Sequence, residues 1–565
     1  MLIKRHSATA ALVTLLAVGA LALSTVHHQP DTADNPTDNP GDSPADHPGM
    51  ARPTPGGVAL DPILSDQVRP NVVVIMADDM REDDLRFMPN VQRLIGDEGV
   101  RFKNMFSPQP LCCPARASFL TGEYTHNHGV WSHAAPYGFR VLRDEQTLPV
   151  WLKDVGYNTV FLGKYLNGYG WQTLPDGSSS VHYVPPGWTD WRGSVDGGIE
   201  AGSTYAGSTY RYFDTTLNVN GVLQPHQGQY QTRMFGRETE QIIATQARST
   251  RPFFYWASYL APHYGREREP DDPGDVVRDD GRSGGFLTPA RPADVKGMFD
   301  EEVTEAPGVE GEKDVSDKPF FIRNLPPLND EERAAVLNVT RQRAEALAVL
   351  DQEVAGTIEA LKDAGELDNT IVAFTSDNGF FLGEHRMRKG KVLPYDPSLR
   401  VPLLMRGPGI PQGVVREDPF TMIDFAPTFL DAAGASGQDS IDGVSMLDVA
   451  RNGDQGWDRG ILTETGPRQV SNGVEESDNF LVQGDGPSPL RFSQGVRTSR
   501  YLYVEHASRE KELYDLQQDP GQLDNLIARG VRRAVAAQLA HMLDWLRNCV
   551  GDECAALLPE SLRSR

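Results

Sequence analysis

The chain has 565 residues, enough for several domains, and 39% of them are hydrophobic, as in an ordinary folded protein. Its 54 basic and 78 acidic residues leave a formal net charge of −24, which argues against nucleic acid as a partner because nucleic-acid-binding proteins present a broad basic face. Four cysteines are too few for a disulfide-rich scaffold or a multi-cysteine zinc array.

The first residues have the pattern of a secretory signal peptide. The basic cluster Lys4-Arg5-His6 precedes an uncharged, mostly apolar stretch (residues 7–26) with small residues near its end. An uncleaved membrane anchor is the alternative, since the stretch is nearly long enough to span a bilayer. Its many Ala, Ser, Thr and Gly residues favour cleavage. We therefore predict a signal peptide over residues 1–26 and a secreted or extracytoplasmic protein with no stable membrane partner.

Residues 27–68 are predicted to form a disordered linker rich in proline and aspartate. Between Pro30 and Pro55 there are seven prolines, five aspartates and scarcely an apolar side chain. Such a segment cannot bury enough surface to fold. The folded body is therefore expected to begin near Arg69.

The body alternates apolar runs with helical patterns. Strands are predicted at residues 71–76, 159–162, 253–258, 371–374 and 401–405, where the runs are short and rich in β-branched or aromatic residues. An amphipathic helix precedes the fourth run, because apolar residues recur there at three- and four-residue steps: Leu347, Leu350, Val354, Ile358 and Leu361. Strands that alternate with helices predict an α/β fold with a mostly parallel central sheet flanked by helices.

Residues able to bind ligands follow four of the predicted strands. They are Asp78-Asp79, Lys164, His263 and Asp377-Asn378. In open α/β sheets ligands bind beyond the carboxyl ends of the strands. The coincidence of four such ends predicts a functional site at that edge of the sheet.

The rest of the body divides into three parts by composition. The main domain is expected to span residues 69–460, with a surface insertion at 264–328 that is rich in Asp, Glu, Pro and Gly. Residues 461–565 are predicted to form a smaller C-terminal α+β subdomain. Its predicted elements are strands at 496–504 and 512–516 and a helix at 531–546.

The four cysteines form two pairs. Cys549 and Cys554 are near in sequence and are expected to form a disulfide in an exported protein. Cys112 and Cys113 are adjacent and cannot easily bridge each other, so they are predicted to remain thiols, either inert and buried or functional. Cys112 begins a C-x-P-x-R pattern that a short helix continues.

This pattern resembles the sulfatase family, in which the cysteine of C-x-P-x-R is converted to formylglycine. Pro114 and Arg116 stand two and four residues after Cys112, whereas Cys113 fits neither spacing. The resemblance covers most of residues 70–555 and is strongest to the N-acetylglucosamine-6-sulfatase and extracellular heparan-sulfatase branch. That branch shares the Cys-Cys-Pro sequence, the His-Asn-His at 126–128 and the runs at 163–167 and 512–516. The resemblance implies an alkaline-phosphatase-like fold.

The resemblance also implies a metal site. Asp78, Asp79, Asp377 and Asn378 match the family's ligands, and an oxygen of the formylglycine made from Cys112 completes the set. Hard oxygen ligands suit Ca²⁺, with Mg²⁺ as the alternative. Acidic residues at strand ends are otherwise helix N-caps.

Four further residues match the family's catalytic positions. Arg116 is expected to hold the formylglycine and a metal carboxylate, a task for which a planar guanidinium suits better than an ammonium. Lys164 and Lys391 are the expected sulfate-binding cations, with Lys389 as the neighbour that could replace Lys391. His263 is expected to bind sulfate and protonate the leaving alcohol, because histidine titrates in the range that such catalysis needs.

At one position the chain departs from many sulfatases. A histidine two residues after the first active-site lysine is thought to take the proton from the hydrated aldehyde, but Leu166 stands there, followed by Asn167. The sequence therefore does not identify the residue that acts as this base. His126 and His128 are the nearest candidates, and they could equally contact substrate or support the site. His385 is expected to support the metal loop.

The sequence thus predicts an exported, Ca²⁺-dependent sulfatase that hydrolyses a sulfate ester, most simply of an N-acetylglucosamine-6-sulfate type of sugar, after a formylglycine-generating enzyme has modified Cys112. One alternative is an arylsulfatase of broad specificity. Another is a phosphodiester or phosphonate monoester hydrolase that uses the same aldehyde. A third is a sulfated-glycan-binding protein in which Cys112 stays unconverted.

Overall fold

A computed structural model describes residues 69–563, except 134–136, 278, 280, 282, 310–311 and 467–492. The predicted signal peptide (1–26) and linker (27–68) lie outside the described residues. In the part of the chain that is described, none of the helices is both long and apolar enough to cross a membrane.

Strands and helices follow each other along the whole body. The strands are β1 (Asn71–Ala77), β2 (Val100–Phe102), β3 (Met105–Phe106), β4 (Asn158–Lys164), β5 (Asp190–Ser194), β6 (Asp214–Val219), β7 (Val222–Gln227), β8 (Phe253–Ser258), β9 (Val276–Val277), β10 (Ser283–Gly284), β11 (Thr370–Ser376), β12 (Leu403–Arg406), β13 (Val414–Arg416), β14 (Phe420–Thr421), β15 (Ile461–Thr465), β16 (Ser493–Arg497), β17 (Tyr501–His506) and β18 (Lys511–Asp515).

The helices are α1 (Pro89–Val91), α2 (Cys112–Thr121), α3 (Thr125–His128), α4 (Leu148–Asp154), α5 (Gln231–Gln246), α6 (Phe320–Arg323), α7 (Asp330–Asp363), α8 (Asp396–Leu399), α9 (Phe425–Ala432), α10 (Leu447–Asn452) and α11 (Arg533–Leu546). Short 3-10 or π turns lie at Glu82–Phe87, Gln92–Gly96, Phe139–Val141, Leu367–Asn369, Glu384–Arg386, Met422–Asp424, Gly551–Ala555 and Glu560–Leu562.

The central sheet is parallel in its middle and mixed toward its margins, where β2 runs antiparallel to β12 but the edge strand β13 runs parallel to β2. Within the described residues ten strands pair in the order β13-β2-β12-β11-β1-β8-β4-β5-β6-β7. The neighbours from β11 to β5 are all parallel, whereas β12 runs antiparallel to β11 and the β5-β6-β7 strands form an antiparallel meander. The predicted α/β fold with a mostly parallel central sheet is confirmed for this core.

Helices cover both faces of the sheet. Along β1, Val72, Val74 and Met76 join the core beneath α2 and α9, while Val73 and Ile75 join the core beneath α5 and α7. Burial of every β1 residue explains why the strand appears in the sequence as a continuous apolar run rather than an alternating one.

The amphipathic helix predicted before β11 is the long helix α7. The side chain of Asn329 accepts a hydrogen bond from the backbone N–H of Glu332, and the Glu332 side chain accepts one from the backbone N–H of Asn329. This capping box defines where the helix begins. The predicted apolar stripe lies in the core beneath the sheet, and the helix ends at Asp363, two residues before Gly365, whose φ of 74° favours glycine.

A second, antiparallel sheet lies in the C-terminal region. It has the order β15-β16-β17-β18, and leucines of α11 pack on it. The single strand predicted over residues 496–504 is wrong, because a turn separates β16 from β17; the Thr498 hydroxyl accepts hydrogen bonds there from the backbone N–H groups of Arg500 and Tyr501. Cys549 and Cys554 form a disulfide.

The segment 264–328 is irregular but packed. Its Phe286, Ala306 and Leu328 share a core cluster with Val336 of α7 and with Phe380, which follows β11. The segment therefore covers α7 and the loop after β11. The described residues, from Arg69 onward, belong to one compact unit that includes the C-terminal sheet.

Candidate active site

The carboxyl ends of β1, β4, β8 and β11 bring the predicted site residues together. Ala77 pairs with Ser376 at the ends of β1 and β11, so the next residues, Asp78 and Asp377, lie side by side. Lys164 is the last residue of β4, and His263 follows β8. The parallel register of the four strands therefore places their polar ends at one edge of the sheet.

Cys112 is the first residue of α2 and lies within this cluster. Its Sγ is 3.3 Å from Oδ1 of Asp78, 3.9 Å from Oδ1 of Asp79 and 2.8 Å from Nζ of Lys391. Ligand atoms of Cys112, Asp78, Asp79 and His263 all lie within 4.8 Å of one another. The helix thus presents Cys112 directly to the acidic strand ends.

Arg116 lies one helical turn after Cys112 and is fully buried. Its Nε donates to Oδ2 of Asp377 at 2.8 Å, and its Nη2 donates to Oδ2 of Asp78 at 3.2 Å. Its Nη1 donates to the carbonyl oxygen of Lys164 at 2.7 Å and to the Ser258 hydroxyl at 2.5 Å. The guanidinium therefore ties four strand ends together through a fixed fork of donors.

The oxygen atoms of this cluster fit a hard divalent cation. Oδ1 of Asp377 accepts hydrogen bonds from the backbone N–H groups of Asn378 and Asp79, at 2.8 and 3.2 Å. In contrast, Oδ2 of Asp79 and Oδ1 of Asn378 are buried and accept no hydrogen bond from the described residues. Buried acceptors without a donor are costly, and carboxylate and amide oxygens are ligands that Ca²⁺ prefers. The chemistry of this donor set fits such an ion.

Two buried lysines contact the same carboxylates. Nζ of Lys164 lies 2.6 Å from Oδ2 of Asp78, and Nζ of Lys391 forms an ion pair with Asp79. Lys389 does not take the place of Lys391, because its Nζ donates to the carbonyl oxygen of Gly285 at 2.9 Å. Two buried ammonium groups thus lie in the cluster that contains Cys112, and Lys391 contacts the Cys112 thiol directly.

His263 faces the cluster with one ring nitrogen. Its Nδ1 lies 2.9 Å from the carbonyl oxygen of Tyr264, which can only accept, so Nδ1 carries a proton. Its Nε2 lies 3.6 Å from Oδ2 of Asp79. Burial, helped by the nearby Lys164 and Lys391 and opposed by Asp79 and Asp78, lowers the pKa of His263 to about 4. The Nε2 atom is therefore the one that can exchange a proton with a ligand.

The charges of the cluster shift the pKa values of its acidic groups in different directions. Burial raises the pKa of the Cys112 thiol well above its usual range, and Asp78 adds to that effect. Burial would also raise the pKa of Asp78, but Lys164, His263 and Arg116 outweigh it and hold that pKa well below its usual range. An unmodified Cys112 is accordingly a protonated thiol, which is a weak nucleophile.

Three residues that the sequence analysis did not single out also belong to the site. Ser258 donates from its hydroxyl to the carbonyl oxygen of Lys164 at 2.6 Å. Arg343 of α7 donates to the main-chain carbonyl of Asp79. The ring of Tyr210 lies 4.9 Å from Nζ of Lys164. Of these three residues, only Arg343 could have been noticed in the sequence. It is a charged residue four positions before Leu347 and so falls on the apolar stripe of the predicted helix.

The two histidines proposed as substrate contacts are engaged elsewhere. The ring nitrogens of His126 lie 3.0 Å from Oε2 of Glu464 and 2.9 Å from the carbonyl oxygen of Cys549. Nε2 of His128 lies 3.0 Å from the Ser118 hydroxyl, and its Nδ1 accepts from the backbone N–H of Val130. These contacts show both histidines supporting α3, which is one of the roles expected for them, and a substrate contact or base role stays a prediction.

His385, Leu166 and Asn167 make contacts outside the acidic cluster. Nδ1 of His385 lies 3.0 Å from Oε2 of Glu312, and its ring stacks on Tyr395 at 4.2 Å. Leu166 is buried in the core, and Nδ2 of Asn167 donates to the Tyr210 hydroxyl at 2.6 Å. The expectation that His385 supports the loop after β11 agrees with these contacts.

Comparison with known proteins places the chain in a family. The sequence model described as Sulfatase matches residues 70–435. An arylsulfatase of Volvox carteri is 31% identical over 86% of this chain and 76% of its own length. An N-acetylglucosamine-6-sulfatase of Capra hircus is 30% identical over 86% of this chain and 85% of its own length.

A solved structure shares the fold. It is described as a complex with its substrate D-glucosamine-2-N,6-O-disulfate, and it superposes with a TM-score of 0.60 at 21% identity. The superposition covers 84% of this chain and 97% of the other. The arrangement of the central sheet, its helices and the C-terminal sheet is thus an architecture already seen in solved structures.

Proposed function

Since the chain belongs to the sulfatase family, and is thus a sulfuric ester hydrolase, we propose that its substrate is the sulfate ester of a sugar of the N-acetylglucosamine-6-sulfate type. The position of Cys112, between two lysines and a buried acidic cluster at the carboxyl ends of four strands, carries the proposed chemistry. The sugar is supported by the Capra hircus relative and by the sugar disulfate bound in the structural neighbour.

We propose that Cys112 is the residue converted to formylglycine by a generating enzyme of the source cell. The hydrated aldehyde supplies one hydroxyl that attacks the sulfur atom and a second that later releases the sulfate. The spacing of Pro114 and Arg116 and the place of Cys112 at the start of α2 support this assignment. Backbone N–H groups at a helix start favour an anion there.

Asp78, Asp79, Asp377 and Asn378 are proposed to hold Ca²⁺, together with the modified Cys112. The bound ion supplies positive charge beside the sulfate oxygens. The two buried acceptors without donors, on Asp79 and Asn378, support a cation here. Mg²⁺ is the alternative, although it demands a stricter octahedral geometry.

Side chains of the protein itself have the remaining roles in the proposed reaction. Lys164 and Lys391 bind the sulfate oxygens, and their present partners Asp78 and Asp79 keep both ammonium groups aimed at Cys112. His263 faces the cluster with Nε2, and because burial keeps its ring neutral with the proton on Nδ1, Nε2 has to take up a proton before His263 protonates the leaving alcohol. Arg116 keeps Asp78 and Asp377 in position through its charge-assisted hydrogen bonds.

We also propose that the protein is exported. The pattern of residues 1–26 and the disulfide between Cys549 and Cys554 support a secreted or extracytoplasmic location. Relatives named as extracellular sulfatases agree with it. Mass spectrometry of the N-terminus of the exported protein tests this proposal. Retention of residues 1–26 would indicate a membrane anchor instead of a cleaved signal peptide.

Sulfate release by protein co-expressed with a formylglycine-generating enzyme tests the proposed reaction. The substrates are N-acetylglucosamine-6-sulfate, a generic aryl sulfate and an aryl phosphodiester, each with and without Ca²⁺ and against Cys112→Ala. We expect sugar turnover that needs both Ca²⁺ and Cys112. Turnover of the aryl sulfate alone would favour the second candidate, a broad arylsulfatase, which the Volvox carteri relative supports.

Two other outcomes would replace the proposed function. Turnover of the phosphodiester alone would indicate a phosphodiester or phosphonate monoester hydrolase. A native exported protein that retains the Cys112 thiol and binds sulfated sugar without turnover would indicate a glycan-binding protein.

A further inference from the structure

Lys391 lies where the backbone is strained. It belongs to the lysine loop (residues 383–393), which follows β11. Within this loop Lys391 stands between Gly390, with a φ of 111°, and Val392, with a φ of 81°. A β-branched residue adopts a positive φ only at a cost, and such a conformation persists only where other contacts impose it. The contacts that hold the lysine loop therefore decide where Lys391 points.

One of these contacts joins the lysine loop to the segment that carries Cys112. The backbone N–H of Val392 donates to the carbonyl oxygen of Pro110 at 3.1 Å, two residues before Cys112. In this arrangement Nζ of Lys391 lies 2.8 Å from Sγ of Cys112. The strained conformation of Val392 thus accompanies the direct approach of Lys391 to the proposed formylglycine position.

Arg388 attaches the lysine loop to the segment 264–328 and to the start of α7. Its side chain is buried and uses all five N–H donors of a guanidinium. Nε and Nη2 donate to the two carboxylate oxygens of Glu332, at 2.7 and 2.9 Å. The remaining donors bond to three main-chain carbonyl oxygens at 2.8 to 3.2 Å, those of Arg386, Pro326 and Pro327. Arg388 is therefore an anchor three residues before Lys391.

We propose that Arg388 is a positioning residue for Lys391. Without its fork of hydrogen bonds, Val392 can return to a negative φ, which turns the backbone beside Lys391 and withdraws the ammonium group from Cys112. Arg388 bonds to Glu332 and to main-chain carbonyls, so it acts on the reaction through the lysine loop. This inference rests on the proposed role of Lys391 in binding sulfate.

Binding of inorganic sulfate to the Ca²⁺-loaded, formylglycine-containing enzyme, measured by isothermal titration calorimetry, tests this role. Arg388→Lys keeps the charge but cannot supply five hydrogen bonds. We expect the Kd for sulfate to rise about tenfold, as for the loss of one charge-assisted contact. KM for an aryl sulfate should rise in the same proportion while kcat changes less, because the lost contact binds the sulfate before and during the reaction.

Arg459→Lys is the matched control. Arg459 is buried like Arg388 and also forks onto a carboxylate, that of Asp424, at 3.1 and 2.6 Å. Both variants lose buried hydrogen bonds and should melt at lower temperatures than the unmodified protein. Only Arg388→Lys should lose affinity for sulfate. An equal loss in Arg459→Lys would overturn the positioning role.

A second substitution separates positioning from a loss of stability. Glycine adopts a positive φ without steric cost, so Val392→Gly added to Arg388→Lys should restore most of the affinity for sulfate. Glu332→Gln, which removes one acceptor of the same fork, should weaken sulfate binding in the same direction and serves if Arg388→Lys does not fold. An unchanged Kd in folded Arg388→Lys, or no recovery in the double variant, would overturn the role of Arg388.

The unmodified protein distinguishes the failure of this inference from the failure of the proposed function. If it binds sulfate and hydrolyses a sulfate ester while Arg388→Lys behaves in the same way, only the role of Arg388 is overturned. If it neither binds sulfate nor hydrolyses a sulfate ester, the proposed function and this inference are both overturned.

Discussion

Arg343, on the long helix α7, donates a hydrogen bond from Nη2 to the main-chain carbonyl oxygen of Asp79. Asp79 has a φ of 65°, in the left-handed region that a residue other than glycine adopts only at a cost. Nη2 of Arg343 also lies 3.2 Å from Oδ2 of Asp84, and its guanidinium packs over the Phe380 ring at 4.6 Å. The helix thus holds Asp79 in the conformation that aims its carboxylate at Cys112.

Loss of this contact is expected to weaken the proposed Ca²⁺ site. Arg343→Lys keeps the charge near Asp84 but cannot reproduce the fork, so Asp79 is freer to leave its strained conformation. We expect the affinity for Ca²⁺, measured by isothermal titration calorimetry, to fall about tenfold, equivalent to about 1.4 kcal/mol. Arg341→Lys is the control, because Arg341 lies on the same helix and donates to the carbonyl oxygens of Val303 and Asp300. An unchanged affinity in a folded Arg343→Lys protein would contradict the role of Arg343.

Arg116→Lys is expected to be severe although it conserves charge. An ammonium cannot reach Asp78, Asp377, Ser258 and the Lys164 carbonyl at once, so at least one buried carboxylate loses its partner. Breaking a buried pair costs about 3–5 kcal/mol. The free energy of unfolding should fall by that order in urea denaturation, and sulfate release should fall at least about a hundredfold. Wild-type turnover in the variant would show that the fork is dispensable.

The adjacent cysteines offer a matched pair of variants. Cys112→Ala removes the residue proposed for conversion and should abolish turnover. Cys113→Ala removes a thiol that is buried in the hydrophobic core and should cost only about 1 kcal/mol of stability while formylglycine still forms at Cys112. Peptide mass spectrometry together with sulfate release tests both variants. Modification of Cys113, or turnover that survives Cys112→Ala, would show that Cys112 is not the source of the nucleophile.

A carboxyl group far from the site should make stability depend on pH. Burial raises the pKa of Glu353, on α7, to about 7, with Glu240 adding to the shift and Arg233 and Arg237 opposing it, against an ordinary value of 4.5. The folded state therefore keeps a proton that the unfolded state loses, so stability falls as pH rises from about 4.5 to about 7. Because the group is partly exposed to solvent, the effect is of the order of 1 kcal/mol.

Glu353→Gln isolates this effect. The glutamine cannot ionise, so the variant should melt at a higher temperature than the unmodified protein at pH 8 and differ little from it at pH 4.5. Thermal unfolding followed by circular dichroism across this range provides the measurement. If the melting temperatures of the two proteins differed by the same amount at every pH, the pKa of the Glu353 carboxyl would not be shifted.

The core strands were predictable because of how they are buried. β1, β4, β8 and β11 lie between two layers of helices, so each one is a continuous apolar run that differs from its predicted range by a few residues at most. The β5-β6-β7 meander escaped prediction, since the outer strand β7 is largely exposed and has no apolar run. The turn between β16 and β17 contains neither glycine nor proline, which is why the two strands were predicted as one.

The sequence by itself determined most residues of the candidate site, because that information is local. The spacing of Cys112, Pro114 and Arg116 and the polar residues that end the buried strands can be recognised without a structure. The parallel order of those strands then follows from the α/β pattern, so the meeting of Asp78 with Asp377 was expected.

Only the tertiary structure decided which neighbouring side chains take part. Lys391 reaches Asp79 while Lys389 turns to Gly285, and His126 faces Glu464, 338 residues away, instead of the cluster. Arg343 reaches Asp79 from a helix 264 residues further along the chain. The direction of a side chain depends on which distant segment offers it a charge or a hydrogen-bond partner, and residue spacing carries no information about contacts that form only when the chain folds.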